Sequence, residues 1–176
     1  MQFVLTRLPV RWEKLIIPRE SNLNLKQGFR QILATLTIRN IIESLTSKDY
    51  FTVISYNDQA RFVHPCYENR LFRATDKVKR EFAVRLQSVE TTGVANFTAA
   101  LETGYQVLKE ANRRISTSRA MLFVTDGVLS QDLARFEQVK KSMALMQVEM
   151  HNIRIFTYLI GKDIKYANRL KEIGRG

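Results

Sequence analysis

Ala120-Met121-Leu122-Phe123-Val124-Thr125-Asp126-Gly127 is the stretch on which the fold turns. Its five leading apolar residues are too short a run for a helix and show no polar face, so they read as a strand buried on both sides. The Thr-Asp-Gly step at its end is how a parallel strand delivers polar side chains to the carboxyl edge of its sheet. Two further runs have the same character: Tyr50 to Tyr56, and Ile153 to Ile160 ended by Gly161. The spacing predicts these three as adjacent core strands. The turn pair Asn57-Asp58 and the short run through Phe62-Val63 make an antiparallel edge hairpin with the first of them.

Helical patterns fill the intervals. Thr75 to Ser88 places Val78, Phe82, Leu86 and Val89 on one side, with Lys77, Lys79, Arg80 and Arg85 largely elsewhere. Asn96 is suited to cap a helix carrying Phe97, Ala100, Leu101, Gly104, Tyr105 and Leu108. Ser130 heads another, with Leu133, Phe136, Val139, Met143 and Met146, and a last one covers Ile164 to Ile173. Strands separated by helices imply a doubly wound α/β fold: an open, mostly parallel, Rossmann-like sheet covered on both faces.

The first 45 residues fit less well. Phe29, Ile32, Leu33 and Leu36 form one helical quartet, and Ile38, Ile41, Ile42 and Leu45 form another on the opposite face. Either a helix there is buried all round, or the coherent helix begins near Thr35 and the upstream segment does something else. Met1 to Leu5 has strand character, and Pro9 and Pro18 interrupt the residues beyond it. The expected division is an irregular, divergent segment over residues 1–34 and a domain over 35–176.

Composition bounds the function. The chain has 176 residues, 45% hydrophobic and 26% charged, with seven glycines and three prolines, which suits one folded domain and excludes collagen-like or disordered classes. No apolar run is long enough to cross a membrane, and Met1 to Val10 do not read as a secretory signal. The formal charge of +11 would attract nucleic acid, anionic lipid or an acidic protein surface. One cysteine, Cys66, excludes an internal disulfide and a cysteine zinc cluster. The two histidines, His64 and His151, are expected at the surface and at a boundary. Phosphate-cradling glycine motifs and a nucleophile elbow are absent, Ser130 and His151 read as a helix cap and a loop residue, and Glu110 and Asp126 lie on separate elements. No catalytic residue, cofactor or small-molecule substrate is therefore expected.

From about Thr37 to Ile173 the sequence resembles a von Willebrand factor type A (VWA) domain, more narrowly that of the alpha-2/delta auxiliary subunits of voltage-gated calcium channels. The carriers are Ile41 to Leu45 with Lys48 to Asn57, Cys66 with Leu71 to Ala74, Thr92 to Phe97, Leu122 to Gly127, and Arg154 to Gly161. The resemblance implies a protein-interaction domain whose partner is a channel pore-forming subunit, at the extracellular face of the plasma membrane within a longer parent. Against the family's pattern the chain is expected to be incomplete, ending at Gly174-Arg175-Gly176 where a further strand and helix would come next.

The family also implies a divalent cation at the carboxyl edge, held by an Asp-x-Ser-x-Ser loop, a threonine and an aspartate. Asp126 matches the aspartate, but Ala95 stands at the threonine position and the loop motif is missing; Thr6-Arg7-Leu8 or Asn24 to Gly28 takes its place, each bringing a cation. Asp126 is thus expected to be a vestigial ligand with weak or no Mg²⁺ or Ca²⁺ binding, or simply a turn carboxylate. Cys66, after Pro65 and beside a charged segment, is expected near the surface, a small buried hydrophobe being the alternative. The resemblance makes it a candidate for an intermolecular disulfide if the parent is exported, and a free thiol if it is cytosolic. The competing reading is a basic VWA-type domain associated with nucleic acid in a ribonucleoprotein or DNA-repair protein; the basic residues lack the aromatic interleaving of a single-strand platform.

Overall fold

The computed structural model describes residues 2–7, 27–89, 96–112, 119–125 and 153–160, with 137–138, 141–142, 144–145 and 148 between the last two stretches. In chain order they form β1 (Gln2–Arg7), α1 (Gln27–Ser44), β2 (Tyr50–Tyr56), β3 (Ala60–Phe62), a 3-10 turn at Pro65–Tyr67, β4 (Phe72–Arg73), α2 (Asp76–Leu86), α3 (Phe97–Asn112), β5 (Arg119–Thr125) and β6 (Ile153–Leu159). The strands make one sheet in the order β3-β2-β1-β5-β6, with β4 also on β2. The helices expected after Ser130 and over Ile164 to Ile173 fall mostly or wholly outside the described residues, although the described positions between 137 and 148 are helical.

Side chains alternate across the sheet and divide the core into two layers. Phe51, Val53, Leu122 and Val124 point to one face, where they pack with Ile38, Ile41 and Ile42 of α1 and with Phe82 and Leu86 of α2. Ile54, Tyr56, Met121, Phe123 and Ile155 point to the other, against Phe97, Ala100, Leu101, Tyr105 and Leu108 of α3. Helices on both faces of one sheet establish the α/β class. Each large apolar side chain so buried contributes about 1.5–3 kcal/mol relative to exposure.

The helix ends follow from their sequences. Thr75 caps α2, its Oγ1 accepting from the Val78 N–H at 3.4 Å, and Asp76 in the first turn suits the positive end of the helix dipole. Asn96 caps α3, its Oδ1 accepting from the Ala99 N–H at 3.1 Å. Lys79 donates to the carbonyls of Glu43 and Leu45 and so caps the carboxyl end of α1 from α2.

Two expectations change. Of the three long strands β5 and β6 are adjacent as expected, but β1 separates β2 from β5. β1 also runs antiparallel to both neighbours: Phe3 is opposite Ser55 and Val124, Leu5 opposite Val53 and Leu122, and Arg7 opposite Phe51 and Ala120. β5 and β6 pair in parallel, so β2, β5 and β6 share a direction and β1 opposes all three. The edge hairpin is as expected, with Phe62 of β3 opposite Ile54 of β2. One helix, α1, runs through both apolar quartets: Ile38, Ile41, Ile42 and Leu45 are buried, whereas Ile32 and Leu36 are exposed.

The Thr52 hydroxyl is buried in β2 and has no hydrogen-bond partner among the described residues. A valine keeps the shape and removes the desolvated oxygen, so Thr52→Val should stabilise the fold by about 1 kcal/mol in urea unfolding; a loss of stability would show that the hydroxyl is satisfied in solution.

Candidate functional site

The carboxyl ends of β2, β5 and β6 converge on one edge of the sheet, together with the start of β1 and the amino end of α3. Three hydrogen bonds, two of them between backbone groups, tie this edge together. The Ile160 N–H donates to the Thr125 carbonyl at 2.7 Å, joining the ends of β5 and β6. The Asn96 N–H donates to the Asn57 carbonyl at 2.6 Å, joining the end of β2 to the cap of α3. The Asn96 amide also donates to the Asp58 carbonyl at 3.4 Å. Two side-chain oxygens here already accept hydrogen bonds: Asn57 Oδ1 from the Gln59 N–H at 3.2 Å, and Asn96 Oδ1 as the helix cap. Thr125 is buried within the edge.

The family profile of the von Willebrand factor type A domain matches residues 24–176. The chain belongs to this family. Curated relatives include human voltage-dependent calcium channel subunit alpha-2/delta-4, 28% identical over 150 residues, covering 84% of this chain and 13% of that protein. The rat alpha-2/delta-3 subunit is likewise 28% identical, over 148 residues, covering 82% of this chain and 13% of the relative. The chain thus spans about an eighth of the length of these relatives. A solved von Willebrand factor type A structure from Catenulispora acidiphila superposes with a TM-score of 0.66 at 19% identity, over 82% of this chain and 32% of that one. At that identity the likeness shows the fold alone.

In a VWA domain the loop after the first strand contributes hydroxyl and carboxylate oxygens to a divalent cation. Here β1 points the other way. Arg7, its last residue, sits opposite Phe51 and Ala120, the amino-terminal parts of β2 and β5, while Thr125 ends β5 at the far edge. Of the two expected placements of the metal loop, the one at Thr6-Arg7-Leu8 is corrected: the Thr6 and Arg7 backbone lies at the amino edge of the sheet. Asn24 to Lys26, Ala95 and Asp126 lie outside the described residues. Among the described residues no group of three His, Cys, Asp or Glu side chains converges.

Cys66 is exposed, within the 3-10 turn after β3. Because β3 runs antiparallel to β2, the chain there heads away from the end of β2, so Cys66 and the carboxyl edge are not brought together.

His64 is buried, whereas one surface and one boundary histidine were expected without assigning which was which. Its ring packs on Phe82 at 5.6 Å, and its Nε2 lies 3.7 Å from Glu81 Oε2. Burial, first, and the Arg85 charge, second, hold its pKa below the ordinary imidazole value of 6.5, partly opposed by Glu81. The unfolded chain therefore binds the proton more readily than the folded one. The contribution of His64 to stability is complete above pH 6.5 and declines as pH falls through the interval below it. Urea unfolding across this interval should show stability rising with pH, with a shallower rise in His64→Gln; identical slopes in the two proteins would contradict the assignment. His151 lies outside the described residues.

Proposed function

We propose that this VWA domain is a noncatalytic protein-interaction module of the alpha-2/delta kind, binding a voltage-gated calcium channel pore-forming subunit. It would act within a longer polypeptide at the extracellular face of the plasma membrane. The likeness to alpha-2/delta subunits over more than four fifths of the chain carries this reading. No described helix is long and apolar enough to cross a membrane, so attachment would be supplied by the parent or the partner.

The metal site is proposed to be degenerate, with Asp126 a vestigial ligand. The reversed direction of β1 supports this, because the loop oxygens would have to come from the opposite edge of the sheet. Binding at the carboxyl edge would then rest on shape and on hydrogen bonds from the linked ends of β2, β5, β6 and α3, without a cation bridging to a partner carboxylate. The exposure of Cys66 supports a second element of the proposal, an intermolecular disulfide to a cysteine outside this segment.

Capture of the pore-forming subunit by the purified chain, with Mg²⁺ and with EDTA, tests the reading. Equal capture in both, and calorimetry showing no tight Mg²⁺ or Ca²⁺ binding, is the expected result. No capture would overturn the interaction reading. Tight stoichiometric metal binding abolished by Asp126→Ala would overturn the degenerate site alone.

A further inference from the structure

Asn96-Phe97-Thr98 is the only place in the chain where an asparagine is followed two residues later by a serine or threonine. With a residue other than proline between them, this is the acceptor pattern for an N-linked glycan. The pattern is short and recurs by chance, so the fold has to show that this asparagine can carry a sugar: its amide must reach solvent, and its surroundings must tolerate the loss of one amide hydrogen. Asn96 is exposed. Phe97, the next residue, is 4% exposed and packs its ring on Tyr56 at 5.8 Å and on Phe123 at 5.3 Å. The middle residue of the pattern is therefore an anchor in the core, and it holds the asparagine before it at the surface.

The hydrogen bonds of Asn96 suit the modification. Its Oδ1 accepts from the Ala99 N–H at 3.1 Å, its backbone N–H donates to the Asn57 carbonyl at 2.6 Å, and its backbone carbonyl accepts from the Ala100 N–H at 3.3 Å. These three bonds fix the cap of α3 and its link to β2, and none of them uses Nδ2. The Nδ2 amide carries two hydrogens and donates to the Asp58 carbonyl at 3.4 Å, beyond the usual length of an N–H to O bond. A glycosyl substituent replaces one of the two hydrogens and leaves the other. The helix cap and the link between β2 and α3 therefore persist in the modified chain.

We propose that Asn96 is an N-glycosylation site, carrying an oligosaccharide at the corner where the end of β2 meets the amino end of α3. The proposal rests on the reading of the chain as part of an exported protein, because N-linked glycans mark surface loops of secreted chains. The donor is an oligosaccharide linked to a polyprenyl diphosphate. A bond forms between Nδ2 and the anomeric carbon, the bond from that carbon to the diphosphate oxygen breaks, the lipid diphosphate departs, and Nδ2 gives up one proton. Thr98 completes the recognition pattern with its hydroxyl and is itself unmodified. The glycan borders the edge proposed for partner docking, since Asn96 is bonded to Asn57 and Asp58 just beyond the end of β2.

The test expresses the whole 176-residue chain behind a cleavable secretion signal in animal cells and compares its gel mobility before and after peptide-N-glycosidase F. A slower band that the enzyme converts to the unmodified one is expected, with Asn96 recovered as aspartate in peptide mass spectrometry. Thr98→Ala and Asn96→Asp should each abolish the shift completely, and Thr98→Ser should retain it. Aspartate keeps a capping oxygen, so Asn96→Asp removes the acceptor without removing the helix cap. Mobility is read on retained and secreted chain together, so the result does not depend on a variant's folding. The native wild-type chain, shown by circular dichroism to melt cooperatively, should bind concanavalin A. No shift in the wild type, a shift that survives Thr98→Ala, or lectin binding only after denaturation would overturn the proposal. If the chain captures the channel subunit but Asn96 stays unmodified on export, the glycan site fails and the interaction reading survives. Modified Asn96 without channel capture has the opposite meaning.

Discussion

Replacing Phe123 with alanine lowers the unfolding free energy by about 3–5 kcal/mol. The ring is fully buried in β5 and sits between two others, stacked on Tyr56 with centroids 5.1 Å apart and tilted against Phe97 at 5.3 Å; Tyr56 and Phe97 themselves meet edge to face at 5.8 Å. Truncation leaves a cavity bounded by β2, β5 and α3, and rigid sheet backbone on one side limits collapse into it. Phe123→Leu retains most of the volume and loses the ring contacts, so its cost is roughly 1–2 kcal/mol. Urea unfolding monitored by circular dichroism checks both. A loss under about 1 kcal/mol for the alanine variant would mean that this aromatic cluster is not packed in solution.

Asp49→Ala should cost about 3 kcal/mol although the residue lies in a loop. Its carboxylate accepts from the Thr46 N–H at 2.7 Å and from the Thr46 hydroxyl at 2.9 Å, and its side chain is buried. Its backbone is used on both sides: the N–H donates to the Thr46 carbonyl at 2.9 Å, and the carbonyl accepts from the Ala74 N–H at 2.9 Å. Removing the carboxylate strands two donors in the turn that carries α1 into β2. Asn retains one acceptor oxygen, so Asp49→Asn should lose roughly half as much. Equal stability of wild type and Asp49→Ala in urea would show that water replaces the carboxylate at no cost.

The fold was legible where burial demands one face or two. Tyr50 to Tyr56, Ala120 to Val124 and Ile153 to Leu159 are strands because runs that apolar must be covered on both sides, and the caps at Thr75 and Asn96 are written in side chains that bond locally. The direction of β1 was not legible. A six-residue strand has the same period of two read forwards or backwards, so its pattern sets pairing but not polarity. Nor was its place between β2 and β5, which depends on partners far away in sequence.

The surfaces were harder still. The opposed quartets of α1 were visible as a conflict, but only the structure reveals that Ile38, Ile41, Ile42 and Leu45 are buried while Ile32 and Leu36 are exposed. His64 gave no sign of burial, since its neighbours Val63 and Pro65 suit an edge as well as a core. Its partner Glu81 lies a helix away. At the carboxyl edge the departure from the family's ligand pattern is a reading of the sequence alone, and the structure adds the direction of β1.

Every proposal for the carboxyl edge depends on the direction of β1, and cross-linking reads that direction. In a Cys66→Ser background, the pair Phe3→Cys with Ser55→Cys lies opposite in the antiparallel register and should form a disulfide under mild oxidation. The pair Arg7→Cys with Ser55→Cys is separated along the sheet, because Arg7 is opposite Phe51, and should not form one. A β1 reversed about Leu5 and Val53 would exchange the two results. Cross-linking through Arg7→Cys and not through Phe3→Cys would return the loop after β1 to the carboxyl edge and contradict the account.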